Sequence, residues 1–328
     1  MLREAVVNGA QEGHAMLSDT LDPEILEARR QQAAGLPAVD FTKLPPAEGR
    51  AVANRAALFF NDGLPAVAAV EDFFIPGTEP LRARFYRPLG PASGTIFYLH
   101  GGGWFHCNVD THDCLMRTLV QESGLNLLGV DYRLAPEHPH PAALRDALAT
   151  WRWLHENARE LKLDHTRLAI AGDSAGANLA LAFVLGERDA GRPLPAAQAL
   201  FYGCYAPNFQ TESHRANGDG RFGLTTERMR WYWANYAGAD LSNLAVSAAP
   251  LMGNFVGLPA TYLSLAALDP LADDTRELAA RMKLARVPTV LREWPRTGHG
   301  FMQMIRKVAV ARAAVTDAAT FLSQSLAR

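Results

Sequence analysis

An α/β fold built on a mostly parallel sheet of eight strands, flanked by helices, is predicted by three features of this sequence. Eight short apolar, β-prone runs recur along the chain, and helix-like stretches separate most of the later ones. Two glycine-rich motifs stand directly behind such runs, where a buried strand would hand over to a loop or a helix. The chain has 328 residues, 48% of them hydrophobic, enough for one large core with an insertion.

The first sixty or so residues read as helical and amphipathic, notably Asp22 to Gln32, with Asp22 as the cap before Pro23. Pro37, Pro45 and Pro46 break the stretch after Gln32. Runs at 71–76 and 81–87 are joined by a short Pro-Gly turn and read as an antiparallel hairpin at the sheet edge. Further strands are expected at 94–100, 126–132, 168–173, 197–202, 260–268 and 288–294, with helices at 111–122, 140–158, 175–189, 271–286 and 305–326. That alternation implies a parallel sheet covered on both faces.

Residues 204–245 interrupt the pattern: Asn217-Gly218-Asp219-Gly220 signals a loop, and Thr225 to Tyr236 reads as a helix. Nine of the 29 aromatics fall between 201 and 236. They suit either a helix packed on the sheet or a lid that walls an apolar substrate pocket.

Composition removes several classes of function. The formal net charge is −2 and there is no basic excess, so no nucleic acid is expected as a partner. The longest apolar runs, such as Leu263 to Leu268, are too short for a bilayer, and no membrane partner is expected. Arg3 is followed by Glu4, Gln11, Glu12 and His14 where a secretory signal needs an apolar stretch, so a cytoplasmic location is expected. Three cysteines, Cys107, Cys114 and Cys204, have no disulfide or zinc spacing and read as small buried thiols. Neither a metal nor a cofactor is expected.

The chemistry concentrates in four places. Gly172-Asp173-Ser174-Ala175-Gly176 lies between the apolar strand Leu168–Ala171 and a helix-forming run. Strand, G-x-S-x-G, helix is the context of a nucleophile elbow, in which the serine is strained outward and flanking side chains would clash. The pentapeptide alone is a weak signal, and its setting supplies the weight. The helix start at Ala175 also aims amide dipoles at the reacting oxygen.

His100-Gly101-Gly102-Gly103-Trp104 comes directly after a second buried strand. Three glycines cost backbone entropy, so they belong where the main chain approaches a substrate oxygen closely. The amides of Gly102, Gly103 and Ala175 are the expected oxyanion donors, and no Lys-Ser/Thr comes after them to make this a phosphate loop. His100 reads as a structural residue of that loop. Of ten histidines, His299 stands in a glycine-flanked loop between the last strand and the last helix, which suits a general base. Asp269, at the end of the preceding strand, is its expected orienting carboxylate, with Asp273 as second choice. Asp273 and Asp274 read as favourable charges at a helix start. The order Ser174, Asp269, His299 is that of the α/β-hydrolase fold. In such chemistry the histidine takes the serine proton, an acyl-enzyme forms, and water repeats the sequence. Activity is expected to fall on acidification, as the imidazole base gains its proton.

Together these residues resemble the bacterial hormone-sensitive-lipase-like esterases with a Gly-Asp-Ser-Ala-Gly elbow. The matching blocks are His100–Trp104, Asp131-Tyr132-Arg133-Leu134-Ala135-Pro136-Glu137-His138-Pro139, Gly172–Gly176, Asp269-Pro270-Leu271 and His299-Gly300-Phe301, within about residues 70–325. The resemblance implies a helical cap, hydrolysis of short acyl esters, and no cofactor. It assigns Ser174, Asp269 and His299 as triad and Gly102, Gly103 and Ala175 as oxyanion donors. It also implies homodimers through the last-strand edge.

The expected division is an N-terminal cap over 1–65, a core over 66–203 and 246–328, and a cap insertion over 204–245. Trp104, Phe105, Tyr205, Phe209 and Trp231 are the expected walls of the substrate pocket. Ala177 stands where the family has glycine, and Phe105-His106-Cys107 is bulkier than the family pattern, which bears on acyl-chain preference. Asp131 through Pro139 carries no evident chemistry: its prolines stiffen a turn, Asp131 and Arg133 are expected to pin it, and Glu137 is a candidate contact to the cap.

Three alternatives share these residues. One is a hydrolase of another carbonyl bond, such as a lactone, carbamate or amide. Another is a non-catalytic ligand-binding protein on the same fold, against which the presence of both His299 and Asp269 argues. The third is a long-chain lipase, which needs a wide interfacial apolar face.

Overall fold

The computed structural model describes residues 20–36, 39–77 and 79–327. The helical reading of residues 1–19, and Pro37, lie outside the described residues. Eight strands form one sheet: β1 (Ala69–Ile75), β2 (Leu81–Arg87), β3 (Thr95–Leu99), β4 (Asn126–Val130), β5 (Leu168–Asp173), β6 (Ala197–Phe201), β7 (Ala260–Ala266) and β8 (Thr289–Trp294). Their order is β1-β2-β4-β3-β5-β6-β7-β8. β1 and β2 pair antiparallel, as do β2 and β4, while every pairing from β4 to β8 is parallel. The early hairpin therefore lies at the edge, as its turn predicts.

β3, β4, β5 and β6 are buried at every position, because helices cover both faces. Side chains alternate between two cores. Phe97, Leu99, Ile170, Leu200 and Leu263 enter the core that contains helix residues Leu144, Trp151, Phe183 and Leu278. Ile96, Tyr98, Ala169, Ala171, Phe201 and Tyr262 enter the other, with Leu119, Val315 and Leu322. The edge strands carry charge, Glu71 and Asp72 on β1 and Arg292 and Glu293 on β8, which discourages further pairing.

The helices behind these cores are α3 (Asp113–Ser123), α4 (Ala142–Glu156), α5 (Ala175–Asp189), α8 (Ala272–Leu284) and α9 (Ala309–Leu326). α9 starts later than expected, because Phe301–Met304 forms a separate 3₁₀ turn after the left-handed Gly300. Upstream of the sheet lie α1 (Pro23–Gly35) and α2 (Pro46–Leu58). Asp22 caps α1 by accepting from the Glu24 amide at 2.8 Å. Pro45 and Pro46 do not break the chain here. Pro46 opens α2 at the first helical position, where its missing N–H has no partner to lose. Between β6 and β7 lie α6 (Glu212–Asn217) and α7 (Thr226–Ala237), each capped by a threonine, Thr211 and Thr225.

Ties between distant segments fix the upper surface of the sheet. Arg50 of α2 donates to the carbonyls of Phe105 at 2.7 Å and Ala135 at 3.2 Å, and to Glu137 at 2.7 Å. Glu137 is thus the contact to the N-terminal helices that its position suggested. Asp131 and Arg133 do pin their turn, but not to each other. Asp131 accepts from the Val109 amide at 2.7 Å, and Arg133 forks onto Asp146 of α4 at 2.7 and 3.0 Å.

Candidate active site

The three expected catalytic side chains lie beyond the carboxyl ends of parallel strands, where open α/β sheets place their sites. Ser174 stands between β5 and α5, Asp269 lies just past β7 and His299 just past β8. Two loop bonds hold the last two together: the Ala267 amide donates to the Trp294 carbonyl at 3.1 Å and the Leu268 amide to that of Thr297 at 2.8 Å.

Ser174 has φ 53° and ψ −117°, a strained conformation for a residue with a side chain. Tight neighbours impose it. A Cβ at Gly176 would come within 1.9 Å of the Leu99 carbonyl oxygen, and one at Gly172 within 2.5 Å of that of Gly176. The Ser174 amide is anchored on the Phe201 carbonyl at 2.8 Å.

The Ser174 Oγ lies 2.9 Å from His299 Nε2, and His299 Nδ1 lies 2.6 Å from Asp269 Oδ2. With its proton on Nδ1, donated to Asp269, the imidazole presents a lone pair on Nε2 to the serine hydroxyl. Asp269 is fully buried, and its second oxygen accepts from the Leu271 amide at 2.9 Å. The structure therefore brings Ser174, His299 and Asp269 into one hydrogen-bonded row. Asp273 takes no part in it. Asp273 accepts from the Ser213 amide at 2.8 Å and pairs with Arg276 at 3.0 Å.

Asp274 departs from its reading as a helix-end charge. It is 2% exposed and accepts from the amides of Tyr205 at 2.7 Å and Ala206 at 3.3 Å. Burial pushes its carboxyl up to about 7, against those two amides.

Opposite the serine, the glycine loop curls over the site, with Gly102 at φ 110° and Gly103 at φ 60°. A Cβ on Gly103 would fall 2.3 Å from the Tyr232 ring, so only glycine fits that close approach. Among the described residues, no acceptor of the protein meets the amides of Gly102, Gly103 or Ala175. Asp173 anchors the loop from below. Its Oδ1 accepts from Tyr98 Oη at 2.8 Å and the Gly101 amide at 2.9 Å, and lies 3.2 Å from His112 Nε2. Burial opposes its charge, but those partners hold the carboxyl below its ordinary range.

His100 is structural, as expected. Its ring stacks on Tyr132 at 4.2 Å and Nδ1 lies 2.7 Å from the Gly101 carbonyl, while burial pulls its pKa down to about 3. The three cysteines are free and buried, and burial pushes the Cys107 thiol up to about 12.

A cavity of about 650 Å³ opens onto Ser174 and His299. Its walls correct the expected pocket residues: Trp104, Phe105, Tyr205, Phe209 and Trp231 are absent from the lining. Trp104, at φ 56°, turns back and stacks on Tyr236 at 4.0 Å. Phe105 packs edge-on against Trp231 at 4.7 Å, Tyr205 is buried, and Phe209 lies beneath the Arg230 guanidinium. Of the nine aromatics between 201 and 236, only Tyr232 reaches the lining, so the rest serve packing. Instead α1 and α2 supply one wall, including Arg29, Val52 and Ala56, and α7 supplies Arg228, Met229 and Tyr232. His106 and Cys107 also line it, with His106 Nε2 3.0 Å from Tyr232 Oη. The sequence marks α1 and α2 as helices but not what they cover, since each buries only two residues.

Among the described residues, no helix is long and apolar enough to cross a membrane. No group of His, Cys, Asp and Glu among them could hold a metal ion.

Comparison with known proteins agrees with this architecture. A family model described as an alpha/beta hydrolase fold matches residues 96–303. The carboxylic ester hydrolase LipN of Mycobacterium tuberculosis is 34% identical over 268 residues, which cover 79% of this chain and 71% of that one. An ester hydrolase from the metagenome of Lake Arreo superposes with a TM-score of 0.86 at 33% identity, covering 93% of this chain and 99% of that one. A hyperthermophilic esterase of the archaeon Pyrobaculum calidifontis gives 0.87 at 29% identity, covering 94% and 100%.

Proposed function

Because this chain belongs to the hormone-sensitive-lipase-like esterases of the α/β-hydrolase fold and is a carboxylic ester hydrolase, we propose that it cleaves short-chain acyl esters with Ser174 as nucleophile. His299 is the general base and then the general acid, and Asp269 holds its tautomer and stabilises the imidazolium. The amides of Gly102, Gly103 and Ala175 receive the charge of the tetrahedral intermediate. Residues 20–65 and 204–245 act as a cap over the core.

One observation carries this reading: a hydroxyl, an imidazole and a buried carboxylate stand at 2.9 and 2.6 Å along one row, beside glycine-loop amides that meet no acceptor among the described residues. His299 removes the Ser174 proton as Oγ attacks the carbonyl carbon. The intermediate collapses, the alcohol leaves with that proton, and an acyl-serine remains. Water, deprotonated by His299, attacks the acyl-serine, and the carboxylic acid departs with Ser174 restored. Asp269 is desolvated and tied to the Leu271 amide, so it keeps the imidazole aligned through both halves.

The preference for short chains is supported by a cavity of about 650 Å³ with helical walls on two sides. A p-nitrophenyl ester series from acetate to palmitate tests it. Acetate and butyrate should be cleaved fastest, and palmitate slowly at every concentration. Rates that climb once the substrate exceeds its solubility would instead mark an interfacial lipase.

A further inference from the structure

The cavity in front of Ser174 carries positive charge without matching negative charge. Arg29 of α1 lies half-buried in its wall, with its guanidinium against the backbone of Gly298 and Gly223. Cβ atoms placed on those glycines would lie 3.2 and 2.8 Å from Arg29 Nη2, so the cation sits beside the loop that bears His299. Among the described residues it makes no hydrogen bond and no ion pair. Burial pushes its pKa below the ordinary range, while the charge of Asp269 pulls it back up.

Arg228 of α7 enters the lining beside Tyr232 and His106. It lies over the Phe41 ring at 5.1 Å, and its Nε is buried with no partner among the described residues. Arg55 adds a third guanidinium, exposed at the rim. Asp173 is the only carboxylate among the described lining residues, and Tyr98, Gly101 and His112 already occupy it.

A partly desolvated guanidinium with no hydrogen-bonded anion loses hydration and gains no direct pairing in return. Its planar fork of donors is best used on a carboxylate or similar oxyanion. We infer that the substrates are esters that carry a second, anionic group, a carboxylate on the acyl or alcohol half, with Arg29 as its anchor and Arg228 as the second cation. This rests on the reading of Ser174 as nucleophile, and adds a substrate class to it.

Two matched pairs of esters test the inference. In the first, 4-acetoxybenzoate is compared with its methyl ester, so the anion is on the leaving group. In the second, mono-p-nitrophenyl adipate is compared with p-nitrophenyl hexanoate, so the anion is on the acyl chain. Each kcat/KM is divided by the ester's rate with hydroxide. The anionic member should lead by roughly 10- to 100-fold in at least one pair, as expected for charge-assisted hydrogen bonding. Arg29→Gln or Arg228→Gln should bring that ratio down toward one. Being a ratio, it does not depend on the fraction of variant that folds. Ratios near one in both pairs, or ratios that neither variant lowers, would overturn the inference. A failure of the underlying reading would look different: cleavage of the neutral esters would survive Ser174→Ala.

Discussion

Ser174 is strained at φ 53° because the chain on both sides of it has no room for side chains. Gly176→Ala should therefore abolish activity and lower stability, since a methyl group 1.9 Å from the Leu99 carbonyl must force β3 and β5 apart. Thermal unfolding beside an ester assay reads both effects. Asp269→Asn keeps the volume but presents the wrong tautomer to His299, so kcat should drop by about 10⁴ with little change in folding.

Asp274 offers a separate check on the buried loop behind the site. Its folded pKa, about 7, stands above its ordinary 3.8. The unfolded chain therefore releases this proton first, and stability from this group falls as pH rises between those values, then levels off. Asp274→Asn removes that dependence. Relative to the parent, the variant should gain stability between pH 4 and 7 in urea titrations, and the difference should be flat above about 7. The residues proposed as the triad were legible in the sequence because each stands where a strand pattern ends: Ser174, Asp269 and His299 come after β5, β7 and β8. The pocket residues were not. Whether Trp104 faces the cavity or Tyr236 depends on its positive φ, which no local pattern announces.

At the scale of elements, two side chains, Arg50 and Asn54, hold α2 to the segments that follow the glycine loop. Arg50 reaches two carbonyls and Glu137, and Asn54 adds an acceptor for the Cys107 amide at 2.7 Å. Arg50→Ala should cost about 1–3 kcal/mol of stability, because it strips charged donors from two carbonyls. Glu137→Gln should cost no more than about 1 kcal/mol, since that partner is half exposed. Denaturant midpoints separate the two, and equal losses would mean that the ion pair rather than the carbonyl contacts holds α2. All eight strands could be read from short β-prone runs; the alternation gave the parallel pairing of β3 to β8, and the short turn gave the antiparallel hairpin of β1 and β2. Pro45-Pro46 misled because proline stops a helix from within yet starts one at its first position, and only the direction of the chain beyond it decides which. The aromatics of 201–236 were ambiguous for a related reason. A helix buried on one face shows the same periodicity whether that face meets a sheet or a ligand.

For the whole molecule, the separation of labour is clear. The sheet sets the distances among Ser174, His299 and Asp269, and the helices before and within it enclose the space in front of them. Sequence identity near one third with the Lake Arreo ester hydrolase accompanies a shared architecture, while the charged lining is a property of the assembled walls. The most direct test of Ser174 as nucleophile is intact-mass and peptide mapping of the protein after treatment with a fluorophosphonate. One adduct should form, on Ser174, in step with the loss of esterase activity, and none on Ser174→Ala, whose kcat should be lower by about a million-fold. An adduct on another residue that tracks inactivation, or a Ser174→Ala protein that still turns over esters, would contradict it.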